Sequence, residues 1–273
     1  MSEIEILERI GGGAFGTVHR AKFRSTEVAV KLVPAIGDGA ALSSFRAEAE
    51  MLARLRHPNV CLFMGASFEA GAAHWAIVTE YVAAGSLWDA LRAEPEARWP
   101  RTRAYAVALG VARGLAYLHA HRPPVLHRDV KSPNVLCDLG DRVKLCDVGL
   151  ARDAGRADAS VAAMTAGCGT PQWMAPEMLK AEPYGAPADV YAFAIVLFEI
   201  LSRRCPYDDV PDLAGVALAM RVVHDGLRPS LPEGADPTLA ALAQHCWHHD
   251  PARRPTMDEA LGELEARARD AVS

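Results

Sequence analysis

One short stretch of the chain combines side chains that can accept a proton, bind a cation and contact an anion. Within VLHRDVKSPNVL, two short apolar runs that we predict as strands enclose five such residues: His127, Arg128, Asp129, Lys131 and Asn134. A loop held by strands at both ends can aim its side chains, and the alternative is an ordinary solvated turn. Asp129 is a candidate to accept a hydroxyl proton, and the amide oxygen of Asn134 suits a hard Mg²⁺ ion.

A second candidate for cation binding is Asp147, within KLCDVGLAR. It follows a short apolar run and begins an Asp-x-Gly turn, and a carboxylate in such a turn can hold Mg²⁺. The sequence therefore predicts oxygen ligands for divalent ions from two places in the chain, Asn134 and Asp147.

A glycine-rich segment near the start, GGGAFGTV (11–18), can approach a phosphate closely, because glycine has no side chain and its N–H groups can donate. An ordinary glycine-rich turn is the alternative. A dinucleotide-binding fold needs a helix directly after such a loop, but TVHRAKF has the alternation of a strand. The segment is therefore predicted to close a hairpin.

Lys31 ends the strand-like run EVAVK, where a solvated lysine would be ordinary. The next segment is predicted to be a helix that is capped by Ser43 or Ser44 and runs to about Arg56. Glu48 falls on the apolar stripe of that helix. Because a carboxylate among apolar neighbours needs a cation, we predict an ion pair between Lys31 and Glu48.

These patterns divide the chain into two parts. Up to about residue 80 it is rich in alternating runs with one helix, and after AAGS (83–86) helical patterns dominate. ADVYAFAIVLFEILSR (188–203) is apolar almost all round, which indicates a helix buried in a core. We predict an α+β, bilobal fold, with a small antiparallel β-sheet and one key helix in the N-lobe and a large, mainly helical C-lobe.

The composition disfavours several classes of protein. The chain has 273 residues and a net charge of -5, whereas nucleic-acid-binding proteins are normally basic. No apolar run reaches the length of a membrane span, and the start, MSEIEILERI, lacks the pattern of a signal peptide. The six cysteines are scattered, as in reduced proteins. We predict a cytoplasmic location, with the nucleus as an alternative, and neither a nucleic-acid partner nor a membrane span.

Together, GGGAFGTV, VAVK, HRDVKSPN, DVG and APE resemble the protein-kinase signature in order and spacing, from about residue 4 to about residue 265. GTPQWMAPEML and CWHHDPARRPTM are most similar to the tyrosine-kinase-like group, which includes Raf-like and mixed-lineage kinases and mostly phosphorylates serine and threonine. The resemblance implies a single protein kinase domain at 1–273, with an N-lobe at 1–79, a hinge at 80–85 and a C-lobe at 86–273.

The resemblance also implies catalytic roles. Asp129 would be the base, Lys131 would contact the transferred phosphate, and Lys31, paired with Glu48, would hold the α- and β-phosphates. Asp189 would brace the catalytic loop from the buried helix.

The cofactors implied by the resemblance are ATP and Mg²⁺, with Mn²⁺ as an alternative ion. Asn134 and Asp147 would be the metal ligands. The residues implied to bind the nucleotide are Gly11, Gly12, Gly13, Ala14, Phe15, Gly16, Val18, Ala29, Lys31, Thr79, Glu80, Tyr81, Val82 and Leu136.

The implied regulation depends on residues 147–177, which correspond to an activation segment. Ser160 and Thr165 are predicted phosphorylation sites, and Arg128 and Arg152 are predicted to bind the added phosphate. Ordinary loop hydroxyls are the alternative. Glu177 is expected to pair with Arg254, and Thr170 is expected to line the substrate site.

The implied function is transfer of the γ-phosphate of ATP to serine and threonine hydroxyls of protein substrates in signalling. A tyrosine or dual-specificity kinase is one alternative, and a nucleotide-binding pseudokinase scaffold is another. Only Val148, which stands where the family has phenylalanine, favours the scaffold. We predict that this substitution shifts the balance of active and inactive arrangements without abolishing activity. Regulatory partners and dimerisation are left open.

Overall fold

The computed structural model describes residues 3–13, 16–35, 39–68, 72–93, 99–138, 140–148, 171–210 and 215–272. The chain divides into two compact units, Met1–Ala83 and Ala84–Ser273. This division falls within the predicted hinge, whose bounds stay a prediction. None of the helices in the described ranges has both the length and the apolar character needed to span a bilayer.

The N-terminal unit contains a five-stranded antiparallel sheet with the strand order β1-β2-β3-β5-β4. The strands are β1 (Ile4–Gly13), β2 (Gly16–Phe23), β3 (Thr26–Pro34), β4 (Phe63–Ser67) and β5 (His74–Glu80). Val28 and Val30 are fully buried on one face, where they pack with Val78. Because successive strand residues point to opposite faces, Ala29 and Lys31 lie on the other face.

Helix α1 (Gly39–Leu52) lies against that second face, since the ring of Phe45 is 5.2 Å from the ring of Trp75 on β5. The predicted cap at Ser43 or Ser44 was wrong, because the helix begins earlier. The Ser43 hydroxyl donates to the carbonyl of Gly39, 2.9 Å away, as serine does inside a helix. The predicted end near Arg56 was also too late.

The C-terminal unit is mainly helical. Its helices are α2 (Leu87–Arg92), α3 (Arg101–His119), α4 (Pro176–Leu179), α5 (Ala186–Ser202), α6 (Gly215–His224), α7 (Pro237–Cys246) and α8 (Met257–Val272). Short 3₁₀ helices occur at Ser132–Asn134, Pro171–Trp173 and Pro251–Arg253. The predicted α+β fold, with one small sheet unit and one mainly helical unit, is confirmed.

Helix α5 forms the centre of the C-terminal core. Residues Ala188–Ile200 are buried almost without interruption, and α3 and α7 pack against the helix. Its apolar sequence is therefore explained by burial on all sides.

The loop that carries Asp129 leads into a two-stranded ribbon, β6 (Val135–Cys137) and β7 (Val143–Leu145). The strand predicted before His127 was wrong. There the N–H of Val125 donates to the carbonyl of Leu118 at the end of α3, and not to a neighbouring strand.

Candidate active site

The loop that carries Asp129 is fixed by a buried carboxylate on α5. The backbone N–H groups of His127 and Arg128 each donate to Asp189, over 2.8 Å. Arg128 has a φ of 68°, an unusual conformation for a non-glycine residue, and its backbone bond to Asp189 supports it. His119 also contacts Asp189, at 2.9 Å. Asp189 therefore braces this loop.

The acidity of Asp189 reflects those contacts. Burial by itself would raise the pKa of the carboxyl, but the hydrogen bond from His119, the charges of His119 and His127, and the backbone N–H of His127 hold the pKa below its usual value. Asp189 is thus an ionised acceptor at neutral pH.

The carboxylate of Asp129 is held by two neighbours in the same loop. The amide nitrogen of Asn134 donates to both the backbone oxygen and Oδ2 of Asp129, over 2.8 Å in each case. The ammonium of Lys131 lies 2.8 Å from the same Oδ2. The structure therefore brings together the predicted base, the predicted phosphate contact and one predicted metal ligand.

The second predicted metal ligand follows directly on the ribbon. The N–H of Cys146 donates to the backbone oxygen of Asn134 over 3.0 Å. Asp147 is the residue after Cys146, so this bond fixes the backbone next to it. Asp147 has a φ of 58°, which turns the chain at the end of β7. Because the amide nitrogen of Asn134 is engaged with Asp129, its oxygen is the atom left for a cation. An amide oxygen and a carboxylate fit a hard divalent ion.

The strand register of the N-terminal unit places five of the predicted nucleotide contacts on one face of the sheet. Val18 pairs with both Gly11 and Lys31, and Ala29 pairs with Thr79. Directly paired residues share a face, as do alternate residues of one strand. Lys31 therefore stands among small and apolar side chains on the face that also carries α1.

Glu48 lies on the side of α1 that is turned inward. It is partly buried with one carboxylate oxygen withdrawn from solvent, whereas Arg46, Glu50 and Arg54 are exposed. Phe45, one turn earlier, packs against the sheet. The inward orientation of Glu48 is thus as predicted, and its pairing with Lys31 stays a prediction.

The glycine-rich segment closes the β1–β2 hairpin, in which Gly13 pairs with Gly16. Gly16 has a φ of 133°, and a Cβ atom there would lie 2.0 Å from the backbone oxygen of Leu32. Only glycine fits this position. Of the predicted loop contacts, Ala14 and Phe15 lie outside the described residues.

The predicted hinge begins at Glu80, whose N–H donates to the oxygen of Leu62 while its carboxylate accepts from the N–H of Leu62. The ring of Tyr81 lies under the guanidinium of Arg20, and Val82 is buried.

Leu136, the predicted contact in the C-terminal unit, is partly buried and bridges to Ser86 in the backbone. The N–H of Cys137 donates to the oxygen of Gly85 over 2.8 Å. These bonds hold β6 beside Gly85 and Ser86, at the end of the predicted hinge.

Other predicted residues fall in two groups. Ser160, Thr165, Arg152 and Thr170 lie outside the described residues. Within them, the expected pair of Glu177 and Arg254 is present and buried, with N–O distances of 2.6 and 2.8 Å. Val148 is buried, 3% exposed.

Sequence reasoning missed the buried carboxylate of Glu199. Glu199, inside α5, accepts hydrogen bonds from Ser132, three residues beyond Asp129, and from the indole of Trp173. A signal was present in the sequence, because Glu199 interrupts the most apolar run of the chain. Its partners could not be read from the sequence, since they are far away along the chain.

Comparison with known proteins identifies the family. The family model described as protein tyrosine and serine/threonine kinase matches residues 4–264. The chain therefore belongs to the protein tyrosine and serine/threonine kinase family, and the predicted resemblance to protein kinases is confirmed.

Several curated relatives are similar over nearly the whole chain. Serine/threonine-protein kinase CTR1 of Arabidopsis thaliana is 37% identical over 99% of this chain and 32% of that protein. Probable serine/threonine-protein kinase drkD of Dictyostelium discoideum is 41% identical over 97% of this chain and 20% of that protein. Dual specificity protein kinase shkC, also of Dictyostelium discoideum, is 37% identical over 96% of this chain and 51% of that protein. The chain thus spans about half or less of each of these relatives.

Proposed function

We propose that the chain is the catalytic domain of an ATP-dependent serine/threonine protein kinase. The observation that supports this most directly is the Asp129 carboxylate, which Asn134 and Lys131 orient within a loop bonded to Asp189. Serine and threonine acceptors are supported by the relatives that are named serine/threonine kinases.

In the proposed reaction, Asp129 accepts the proton of the acceptor hydroxyl group. The amide of Asn134 holds this carboxylate in position, and Lys131 places a positive charge beside the oxygen that attacks the phosphate. Asn134 and Asp147 would hold Mg²⁺, which would neutralise charge on the phosphates when bound. Catalysis of this kind consists mainly of orientation and charge stabilisation.

The remaining site residues are proposed to contact the nucleotide. Lys31 holds phosphate oxygens, and Glu48 fixes the lysine. Val18, Ala29 and Leu136 contact the adenine ring.

The remaining contacts proposed for the nucleotide lie at the end of β5 and in the glycine-rich segment. Thr79 bounds the pocket, and the backbone of Glu80–Val82 hydrogen-bonds the base. The glycine-rich segment 11–16 approaches the phosphates. Its support is the hairpin turn at Gly16, where backbone lies too close for any side chain.

Regulation by phosphorylation at Thr165 or Ser160 is also proposed, with Arg128 and Arg152 as the groups that bind the phosphate. Phosphosite mapping of active protein tests this assignment. Finding neither residue modified would remove it.

Protein substrates and ATP are the proposed partners. A cytoplasmic location is proposed from the cysteines, since no disulfide joins the five in the described part of the chain.

The test of the proposed function is phosphate transfer from radiolabelled ATP to a generic basic protein. Wild type should label the acceptor, and Asp129→Asn and Lys31→Met should each reduce labelling by roughly a hundredfold or more, because each removes a group that acts in the transition state. Equal background labelling by all three proteins would instead support the pseudokinase scaffold.

Phosphoamino-acid analysis of the same labelled acceptor decides between the kinase classes. Labelled serine and threonine alone support the proposal. Labelled tyrosine in addition would support a dual-specificity enzyme, as the relative shkC is named.

A further inference from the structure

Arg20 is a charged residue on the face of the sheet that carries the predicted nucleotide contacts. It pairs directly with Ala29 of β3 and lies two residues after Val18 on β2. Because directly paired residues and alternate residues of a strand share a face, all three side chains leave the sheet on one side. The Arg20 side chain is 32% exposed, and the proposed reaction does not use it. A guanidinium at this place therefore needs an explanation.

Two carboxylates from the neighbouring strands fix the Arg20 guanidinium. Its Nη1 donates to Oε1 of Glu8 on β1 over 3.0 Å, and its Nη2 donates to Glu27 on β3. Both glutamates are exposed, and exposed ion pairs contribute little to stability. Two charge-assisted bonds to one planar group do, however, set its orientation. These pairs are thus better explained by what the oriented guanidinium contacts.

The oriented guanidinium lies over the ring of Tyr81. Its Cζ atom is 5.4 Å from the ring centroid, which is within the range of a cation–π contact. Strand β5 ends at Glu80, so the strand ladder stops one residue before Tyr81. The contact with Arg20 therefore fixes a residue of the predicted hinge that lies beyond the sheet.

The residue before Tyr81 is held from the other side of β5. The N–H of Glu80 donates to the backbone oxygen of Leu62, and the Glu80 carboxylate accepts from the N–H of Leu62. Leu62 directly precedes β4, whereas Arg20 lies on β2, and β5 lies between these strands in the sheet. All of these residues belong to the N-terminal unit. Consecutive residues of the predicted hinge are thus fixed from two sides.

We propose that Arg20 is a positioning residue for the nucleotide, whose guanidinium, oriented by Glu8 and Glu27, holds Tyr81 and with it the backbone that binds adenine. The inference rests on the proposed function, which assigns hydrogen bonds with the base to the backbone of Glu80–Val82. It concerns the affinity for ATP and not the transfer step. A backbone segment that is already held in its binding conformation loses less entropy when the nucleotide binds, so the affinity is higher.

The sharpest test is the variant Arg20→Met, which keeps a long apolar side chain and removes the guanidinium. We expect the Kd for ATP, measured by calorimetry without an acceptor protein, to rise roughly fivefold, as for loss of one cation–π contact. The KM for ATP should rise with it, while kcat and the KM for a generic basic acceptor protein stay within about twofold. An unchanged Kd would overturn the inference.

Arg24→Met is the matched control. The guanidinium of Arg24 also lies over an aromatic ring, that of Phe23 at 5.4 Å, and it pairs with Glu3 at 2.9 Å. Arg24 follows the end of β2 and has no proposed contact with the nucleotide. The affinity for ATP should stay unchanged in this variant. An equal rise of the Kd in Arg20→Met and Arg24→Met would show a general effect of lost surface charge and would overturn the inference.

A double-mutant cycle with Tyr81→Leu isolates the contact itself. If Arg20 acts through Tyr81, the double variant should bind ATP about as weakly as the weaker-binding single variant, because both substitutions remove the same contact. Effects that multiply in the double variant would mean that Arg20 acts independently of Tyr81, contrary to the inference.

Hydrogen exchange in nucleotide-free protein gives a readout that does not depend on ATP. The amides of residues 81–83 should exchange faster in Arg20→Met and not in Arg24→Met, because the contact holds the chain before any ligand binds. Equal exchange in wild type and Arg20→Met would contradict the inference. If Arg20→Met does not fold, Arg20→Lys takes its place, since an ammonium cannot engage two carboxylates and the ring with the same geometry. Its changes should have the same direction and be smaller.

Failure of this inference is distinguishable from failure of the proposed function. If wild type binds ATP and transfers phosphate while Arg20→Met binds ATP equally well, the kinase assignment stands and only the inference is lost. If wild type neither binds ATP nor transfers phosphate, the proposed function fails and the inference fails with it.

Discussion

Two carboxylates on α5 illustrate how environment decides the behaviour of a residue. Asp189 and Glu199 are both buried, but the hydrogen bond and charge of His119 help to hold the pKa of Asp189 below its usual value. Burial raises the pKa of Glu199 to about 7, and the hydrogen bonds from Ser132 and Trp173 offset that effect only in part. One acid is thus a permanent anion, and the other exchanges a proton near neutral pH.

The raised pKa of Glu199 predicts a pH dependence of stability. The folded state holds the proton more tightly than the unfolded state, so this contribution is complete below the ordinary value of 4.5 and is lost as the pH rises through about 7. Among the described residues, the groups facing Glu199 are Arg92, Ser132, Trp173 and Cys205. Burial raises the pKa of the Cys205 thiol, so this thiol stays neutral.

Urea unfolding of wild type and Glu199→Gln measures this effect. From about pH 5 to about pH 8, the free energy of unfolding of wild type should fall relative to that of the variant, on the order of 3 kcal/mol. Glu265→Gln, on the surface of α8, should follow wild type. Parallel curves for wild type and Glu199→Gln would contradict the prediction.

At the scale of elements, the backbone geometry of the glycine-rich hairpin requires glycine at position 16. The β1–β2 turn brings Gly16 so close to β3 that a Cβ atom would overlap the backbone oxygen of Leu32. The paired strands β2 and β3 carry Val18 and Lys31 on one face. The position of the glycine-rich segment therefore depends on one close backbone contact.

Gly16→Ala should destabilise the protein by about 2 kcal/mol or more, because both the overlap and the φ of 133° disfavour a side chain. The matched control is Gly65→Ala on β4, where a Cβ atom would meet nothing within 4 Å. Chemical unfolding of both variants checks this. A smaller loss for Gly16→Ala than for Gly65→Ala would show that the hairpin can shift to admit a side chain.

At the scale of the whole molecule, buried polar contacts connect distant parts of the C-terminal unit. Arg254 binds both carboxylate oxygens of Glu177, and it also donates to the backbone oxygens of Pro187, His248 and His249. These contacts join α4, the start of α5 and the chain before α8. A planar guanidinium can serve all of them at once, which an ammonium cannot.

Arg254→Lys should therefore lower the free energy of unfolding by about 3 kcal/mol, since it leaves buried oxygens without donors. Arg113→Lys is the control, because Arg113 pairs with Glu265 on the surface, where such pairs contribute about 1 kcal/mol or less. Thermal and urea unfolding both report the difference. Equal losses in the two variants would mean that lysine can replace the buried guanidinium.

Much of this protein could be predicted from its sequence. The alternation of the early strands and the apolar helix at 188–203 indicated the two units, and the side-chain chemistry of Asp129, Asn134 and Asp147 indicated proton transfer and cation binding. The local sequence pattern gave the wrong start for α1, because a serine can either cap a helix or lie inside it. Ser43 lies inside, where its hydroxyl donates to the backbone oxygen of Gly39.

The sequence by itself determined which residues are candidates for chemistry, because residue type and spacing fix the donors, acceptors and strand faces. Only the tertiary structure decided how they are held. Asp189 accepts a hydrogen bond from the N–H of His127, which lies 62 residues away along the chain. Glu199 accepts one from Ser132, which lies 67 residues away. Contacts across such separations come from packing of whole helices against one another, and no local periodicity contains that information.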